Sequence, residues 1–359
     1  VFVSENGETY RYLINNGTIS GKEICLSLFS QNILAYDESE VRMLEANGDE
    51  YAFQFIRSKI SDIEITPAQL ALDPCSASCV VTDVNTGEVR ALVTYPSYDN
   101  NKFSGTVDAA YYNKLNNALP LLLFNNATQA QKAPGSTFKM CTLVAAMENT
   151  NSKGKRILDY METIQDKGVF TELGDGFNPK CLLYSSVLAT HGTIDATDAL
   201  KVSCNYFFYE LGYRLTWQMM DAAAKGFGLG EPTGIELTEK IGWRSNPDSK
   251  AASYTGPDAV WNAGDRVLTA IGQSENRYSP LQLCVYACTL ANRGTRYRAT
   301  FLNRVASSDY RTLIKQNEPE VVSKMDISYD TYEVYITGMR KVITDIGGTA
   351  NKYFGGHED

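Results

Sequence analysis

The pattern of polar and apolar positions changes character near Pro67. Residues 1 to about 65 are charge-rich and follow no single period, so they read as a small accessory region rather than an independent core. Beyond that point the pattern sharpens. Ser78–Val84 and Glu88–Thr94 are rich in β-formers and are joined by Asn85-Thr86-Gly87, which predicts a β-hairpin whose glycine supplies a positive φ. Pro96 closes the second arm. Thr137–Met147 holds good helix formers without a breaker and places Ser136 at the start of an apolar helix. Helical stretches Ala196–Val202 and Tyr206–Leu215 flank Ser203. Another opens at Ser279-Pro280, where serine caps and proline suits the first position, and leaves at Gly294. Tyr329–Ile343 reads as one more amphipathic helix. Hairpin strands and several helices without repeated βαβ units predict an α+β fold.

Composition narrows the function classes. With 359 residues the chain exceeds one average domain and suggests two, and 43% hydrophobic residues supply a real core. A net charge of -9 with no basic patch excludes a nucleic-acid binder. No stretch approaches the roughly 18 apolar residues that span a bilayer; the densest short run, Leu119–Phe124, contains Pro120. Val1–Glu5 is neither a signal peptide nor an anchor, so the chain is either cytosolic or anchored by a segment upstream of it.

Histidine is the most telling count. There are two, His191 and His357, so a Ser-His-Asp triad would rest on His191 and a multi-histidine metal site is excluded. The eight cysteines form no CxxC pair. Cys284 and Cys288 lie one helical turn apart and Cys141 lies in an apolar helix, which reads as small buried hydrophobes. Cys75 and Cys79 would suit a disulfide in an exported protein, a pairing that spacing leaves open. No cluster implies a cofactor or a metal.

Nucleophilic chemistry must therefore find its base elsewhere. Ser136 and Lys139, at i and i+3, share one helix face. A lysine is no base at its reference pKa of about 10.4, but burial and the positive helix end both lower that value. The same spacing recurs at Ser152 and Lys155, in a polar glycine-containing loop where nothing would desolvate the lysine. Ser-x-Asn is also common, at Ser4/Asn6, Ser30/Asn32, Ser203/Asn205 and Ser274/Asn276. Only the Ser203 copy sits between two apolar helices, where a hydroxyl could relay a proton and an amide could orient a carbonyl. Taken alone, each triplet is as readily a helix cap or a helix break.

Taken together, these segments resemble the class B penicillin-binding proteins, the peptidoglycan D,D-transpeptidases. The resemblance runs through Val81–Ala91, Tyr95–Asn100, Asn126–Gln129, Ala133–Lys139, His191-Gly192, Ser203–Asn205, Gly226–Gly230, Thr233–Ile235, Ala270–Ser274 and Ser279–Gln282. It implies a penicillin-binding, β-lactamase-like fold, an antiparallel sheet flanked by helices, over residues 67–359. Residues 1–66 would be the remnant of a non-catalytic pedestal. Ser136 would be acylated, Lys139 would be the base, Ser203 the proton shuttle and Asn205 the substrate-orienting amide; His191 would pack.

Implied partners are D-Ala-D-Ala stem peptides, β-lactams, a cell-wall glycosyltransferase and divisome or elongasome proteins, at the extracytoplasmic face of the bacterial membrane. A β-lactamase or D,D-carboxypeptidase, a silent scaffold and a β-lactam sensor remain as alternatives. One departure stands out: no Lys-Thr-Gly or Lys-Ser-Gly occurs. Gly338–Ile343 with Gly347–Ala350 resembles the segment just before that motif, so truncation at the C-terminus, with loss of the terminal strands and half of the oxyanion hole, is the simplest reading. A degenerate motif at Ile346–Ala350 is the alternative.

Overall fold

The structure, a computed structural model, describes residues 12–14, 16–62, 64–65, 76–116, 122–174 and 176–356. Cys75 and His357 fall outside the described residues, and with Cys75 the disulfide suggested for it. The chain divides into two compact units, Val1–Ala77 with Thr94–Asn125, and Ser78–Val93 with Asn126–Asp359.

In the first unit, α1 (Gly21–Ser30) opens with a reciprocal capping box between Ser20 and Glu23. Helix α2 (Glu38–Ser61) is capped by Asp37 and kinks at Gly48, whose φ of 65° only glycine adopts cheaply. Cys25, Leu28 and Phe29 of α1 pack on Leu44, Ala52 and Phe55 of α2. This region, read from sequence as lacking a core, thus has a small one. The i, i+3, i+4 spacing in α1 carries it, and the kink at Gly48 disguises the stripe in α2.

The second unit is mixed α and β, as expected from sequence. The hairpin is present as β1 (Ala77–Thr82) and β2 (Val89–Tyr95). Gly87 in its turn has φ 77°, and an added Cβ would stand 2.2 Å from the Arg298 carbonyl oxygen. Val80, Val89 and Leu92 of the hairpin pack on Ile235, Leu281, Val285 and Ala299.

Helix α3 (Lys139–Glu148) runs through the main core, with every residue from Lys139 to Met147 except Met140 buried. Such an all-round apolar helix belongs at the centre of a domain, and each fully buried large side chain there contributes roughly 1.5–3 kcal/mol. Strand β3 (Ile164–Asp166) pairs antiparallel with β4 (Gly192–Ile194). Helices α4 (Ala196–Lys201) and α5 (Asn205–Arg214) flank Ser203, and α6 (Trp217–Gly226) follows. Helix α7 (Ala263–Thr269) leads to α8 (Pro280–Ala291), whose Ser279 and Gln282 form a capping box, with Gly294 leaving at φ 92°. Strand β5 (Thr295–Tyr297) pairs with β8 (Val321–Lys324), and β6 (Arg304–Ala306) with β7 (Leu313–Gln316). Helix α9 (Tyr329–Thr344) packs against α4 and α3. Among the described residues no helix is long and apolar enough to cross a membrane.

Candidate active site

Ser136 lies in a short 3₁₀ turn, Gly135–Phe138, that feeds directly into α3. In a 3₁₀ turn, residues three apart eclipse each other, which sets Ser136 directly over Lys139. The tight turn has a visible cause. The Tyr286 hydroxyl donates to the Thr137 carbonyl at 3.0 Å and accepts from the Cys141 N–H at 3.1 Å, taking the place of the direct helical hydrogen bond. On the other side, Gly135 N–H donates to the Gly272 carbonyl at 3.1 Å. Both glycines have positive φ, 57° and 72°, and a Cβ on Gly272 would meet the Gly135 oxygen at 2.1 Å. Phe138, 1% exposed, stacks on Tyr278 and anchors the turn.

Ser203 stands in the loop between α4 and α5 at φ 52°, a left-handed conformation that costs a non-glycine residue about 1 kcal/mol. Its backbone N–H bonds to the Leu200 carbonyl and that of Cys204 to the Ala199 carbonyl, which hold the loop in this bend. The bend brings two predicted residues, Ser203 and Asn205, onto Lys139. The lysine Nζ donates to the Ser203 carbonyl at 2.8 Å, to Ser203 Oγ at 3.0 Å and to Asn205 Oδ1 at 2.7 Å. Ser203 Oγ in turn donates to Ser136 Oγ at 3.0 Å. All four predicted residues therefore converge on one cluster.

Lys139 is 1% exposed, and Phe208 presents its ring 5.3 Å from the ammonium. Burial pushes its pKa down to about 8, against the opposing pull of Cys204 and Cys181. Roughly one molecule in ten then carries a neutral lysine at pH 7. With the lysine neutral, the chain of hydroxyls can reverse: Ser136 donates to Ser203, and Ser203 to Nζ. By contrast, Ser152 and Lys155 lie exposed in a loop.

A cavity of about 280 Å³ opens beside Ser136. Met140 and Leu200 also line it, with Met339, Val342 and Thr349 from the Gly338–Ile343 and Gly347–Ala350 segments. The Gly347–Ala350 segment is a turn rather than a strand, with the Thr349 N–H bonded to the Lys201 carbonyl.

A second cluster was not anticipated. Asp166, Cys181, His191 and Cys204 bring their donor atoms within 4.8 Å of one another, a group able to hold a metal ion. His191 Nδ1 lies 2.8 Å from Asp166 Oδ2, and Cys181 Sγ lies 3.9 Å from Cys204 Sγ. Two thiols, an imidazole and a carboxylate suit tetrahedral zinc. The Cys204 thiol, hydrogen-bonded to Cys181, is pushed up while Cys181 is drawn down to about 5, so the pair gives up one proton easily and the second reluctantly. His191, expected to pack, faces this group through its contact with Asp166. No CxxC spacing marks the group, because its members come from four separate segments that only β3, β4 and the Ser203 loop bring together.

Residues 77–357 match the family model described as the penicillin binding protein transpeptidase domain. The chain belongs to that family. This transpeptidase domain is 30% identical over 281 residues to the peptidoglycan D,D-transpeptidase MrdA of Escherichia coli, covering 77% of this chain and 42% of MrdA. It is similar to the penicillin-binding protein PBP2 of Helicobacter pylori, solved in complex with MreC, at 24% identity and a TM-score of 0.62 over 77% of this chain and 46% of that one. It also resembles a chain of a peptidoglycan synthase complex that coordinates polymerization and crosslinking, at 25% identity and a TM-score of 0.64 over 77% of this chain and 43% of the other. The transpeptidase domain chain thus spans less than half the length of these relatives.

Proposed function

We propose that this domain performs the acyl transfer of a peptidoglycan D,D-transpeptidase, with Ser136 as nucleophile. The observation that carries the reading is the hydrogen-bonded chain from the Ser136 hydroxyl through Ser203 to the buried amine of Lys139. Ser136 Oγ attacks the penultimate D-Ala carbonyl of a stem peptide, and its proton passes through Ser203 to Lys139. Collapse of the tetrahedral intermediate breaks the peptide bond, and the proton returns to the departing terminal D-Ala. An amine of a neighbouring stem then attacks the acyl-enzyme and restores the serine. Asn205, held by its contact with Lys139, orients the substrate backbone. A β-lactam would acylate the same oxygen and remain there.

The pairing of relatives with MreC and with a polymerizing synthase supports an assembly in which this domain crosslinks new glycan outside the cytoplasm. Intact mass before and after benzylpenicillin tests the chemistry. A single stable adduct on Ser136 supports a transferase; rapid loss of the adduct favours a β-lactamase or carboxypeptidase. A folded chain that forms no adduct sinks the acyl-transfer reading.

A further inference from the structure

Tyr286 reaches the start of α3 from the middle of α8, and its hydroxyl enters the helical ladder itself. In an α-helix the Cys141 N–H would donate to the Thr137 carbonyl, four residues back. Here the phenol oxygen stands between them, donating to that carbonyl at 3.0 Å and accepting that N–H at 3.1 Å. The turn in front is tighter, since the Lys139 N–H donates to the Ser136 carbonyl, three residues back. Thr137 follows Ser136, and Cys141 comes two residues after Lys139. The insertion therefore falls across the stretch that sets Ser136 against Lys139.

The phenol is firmly held. Tyr286 is buried, and its ring meets Phe227 edge-on at 5.2 Å. The Ser279–Gln282 capping box fixes the start of α8, and the Tyr335 hydroxyl donates to the Leu290 carbonyl near its end at 2.7 Å.

Helix geometry gives the consequence a size. A 3₁₀ turn advances about 120° per residue and an α-turn about 100°, so over three residues they differ by about 60°. At a backbone radius of about 2.3 Å, that rotation moves one residue about 2 Å relative to the other. The contact from Ser203 Oγ to Ser136 Oγ is 3.0 Å long, and Ser203 is held by Lys139 and its own loop. A relaxed turn would carry Ser136 away from Ser203 while the amine stayed in place.

We propose that Tyr286 is a positioning residue for acyl transfer, a role that rests on the assignment of Ser136 as nucleophile. It touches no substrate. Its hydroxyl keeps the turn from closing into regular α-helix and so holds Ser136 Oγ within reach of Ser203.

Tyr286→Phe removes one oxygen and keeps the ring against Phe227. Thr137 and Cys141 can then bond directly to each other, so the chain folds and the turn relaxes. The probe is benzylpenicillin, with the saturating acylation rate and the half-saturating concentration measured separately on the whole chain. The saturating rate should fall about 10²-fold, the effect of a misplacement of about 1 Å or more. The half-saturating concentration should hold, because the variant still binds what it acylates slowly. Tyr335→Phe removes another buried phenol hydroxyl bonded to a backbone carbonyl, away from the turn, and should leave the rate unchanged.

A folded Tyr286→Phe chain that acylates at the wild-type rate overturns the role. Equal slowing in Tyr335→Phe does so too, because it traces both losses to stability. Loss of folding in Tyr286→Phe would show that the ladder cannot close without the phenol, and that also overturns it. Labelling of the unaltered chain separates the two ideas. No adduct there removes the acyl-transfer reading and this role together, whereas an adduct formed equally fast by Tyr286→Phe removes this role alone.

Discussion

Ser203 Oγ lies 3.0 Å from Lys139 Nζ and bridges that buried amine to the Ser136 hydroxyl. In the proposed mechanism this is the path of the proton. Its polarity in the resting state runs outward from a charged lysine and reverses once the lysine is neutral.

Replacing Ser203 should therefore break the path without breaking the fold. Ser203→Ala is expected to slow benzylpenicillin acylation by roughly 10²–10³-fold, the range of a positioned proton-transfer group. Ser203→Gly should slow it as much yet melt higher than the alanine variant, because glycine accepts φ 52° without strain. Stopped acylation assays and thermal melts on both variants check this.

The depressed pKa of Lys139 sets a pH dependence. Acylation should rise with pH and level off above about 8, as Lys139 loses its proton. Stability has the same sign. Below pH 8 the lysine is charged in both states and the full burial cost is felt. Between about 8 and 10.5 the unfolded chain holds the proton that the folded one has lost, so stability climbs by about 3 kcal/mol. Denaturant melts of wild type and Lys139→Met across pH 7–11 should differ by that climb; parallel curves would count against a neutral lysine.

Gly272→Ala tests the support of the Ser136 turn. The added methyl would sit 2.1 Å from the Gly135 oxygen, on a residue with φ 72°. The turn must move, with a loss of about 2 kcal/mol or more in stability and a fall in Ser136 acylation. A melt and a labelling rate identical to wild type would show that the turn is not seated on Gly272.

The Asp166, Cys181, His191, Cys204 group predicts zinc binding. The chain loaded with zinc and desalted should retain about one ion by mass spectrometry and melt higher than the chelated chain. Cys204→Ser should lose both effects. Affinity should fall as pH drops, because binding the metal releases protons from the thiols. A chain that retains no zinc would leave the four residues as a hydrogen-bonded packing cluster.

Much of the fold is legible before any coordinates. The hairpin around Gly87, the apolar helix after Ser136, the capped helix at Ser279 and the amphipathic helix from Tyr329 are all local patterns, each set by propensity, capping and turn chemistry within a dozen or so residues. The core of the first unit was hidden because Gly48 breaks the period of α2. The 3₁₀ turn at Ser136 was also hidden, since its cause is a tyrosine hydroxyl that arrives from α8.

The pairing of Ser136 with Lys139 belongs to the sequence itself, because three residues of a helical turn put both on one face whatever surrounds them. So do the triplets that carry the family resemblance. Everything that depends on approach between distant segments was decided by the tertiary structure. Burial at 1% exposure lowers the pKa of Lys139 to about 8, and the left-handed bend at Ser203 sets a hydroxyl between that amine and Ser136. The β3–β4 pairing sets Asp166 beside His191, and Cys181 and Cys204 join them from two other segments that no spacing rule connects. The physical reason is the same in each case. Local geometry follows from covalent sterics and short hydrogen bonds, whereas desolvation and convergence exist only once the chain has closed around the site.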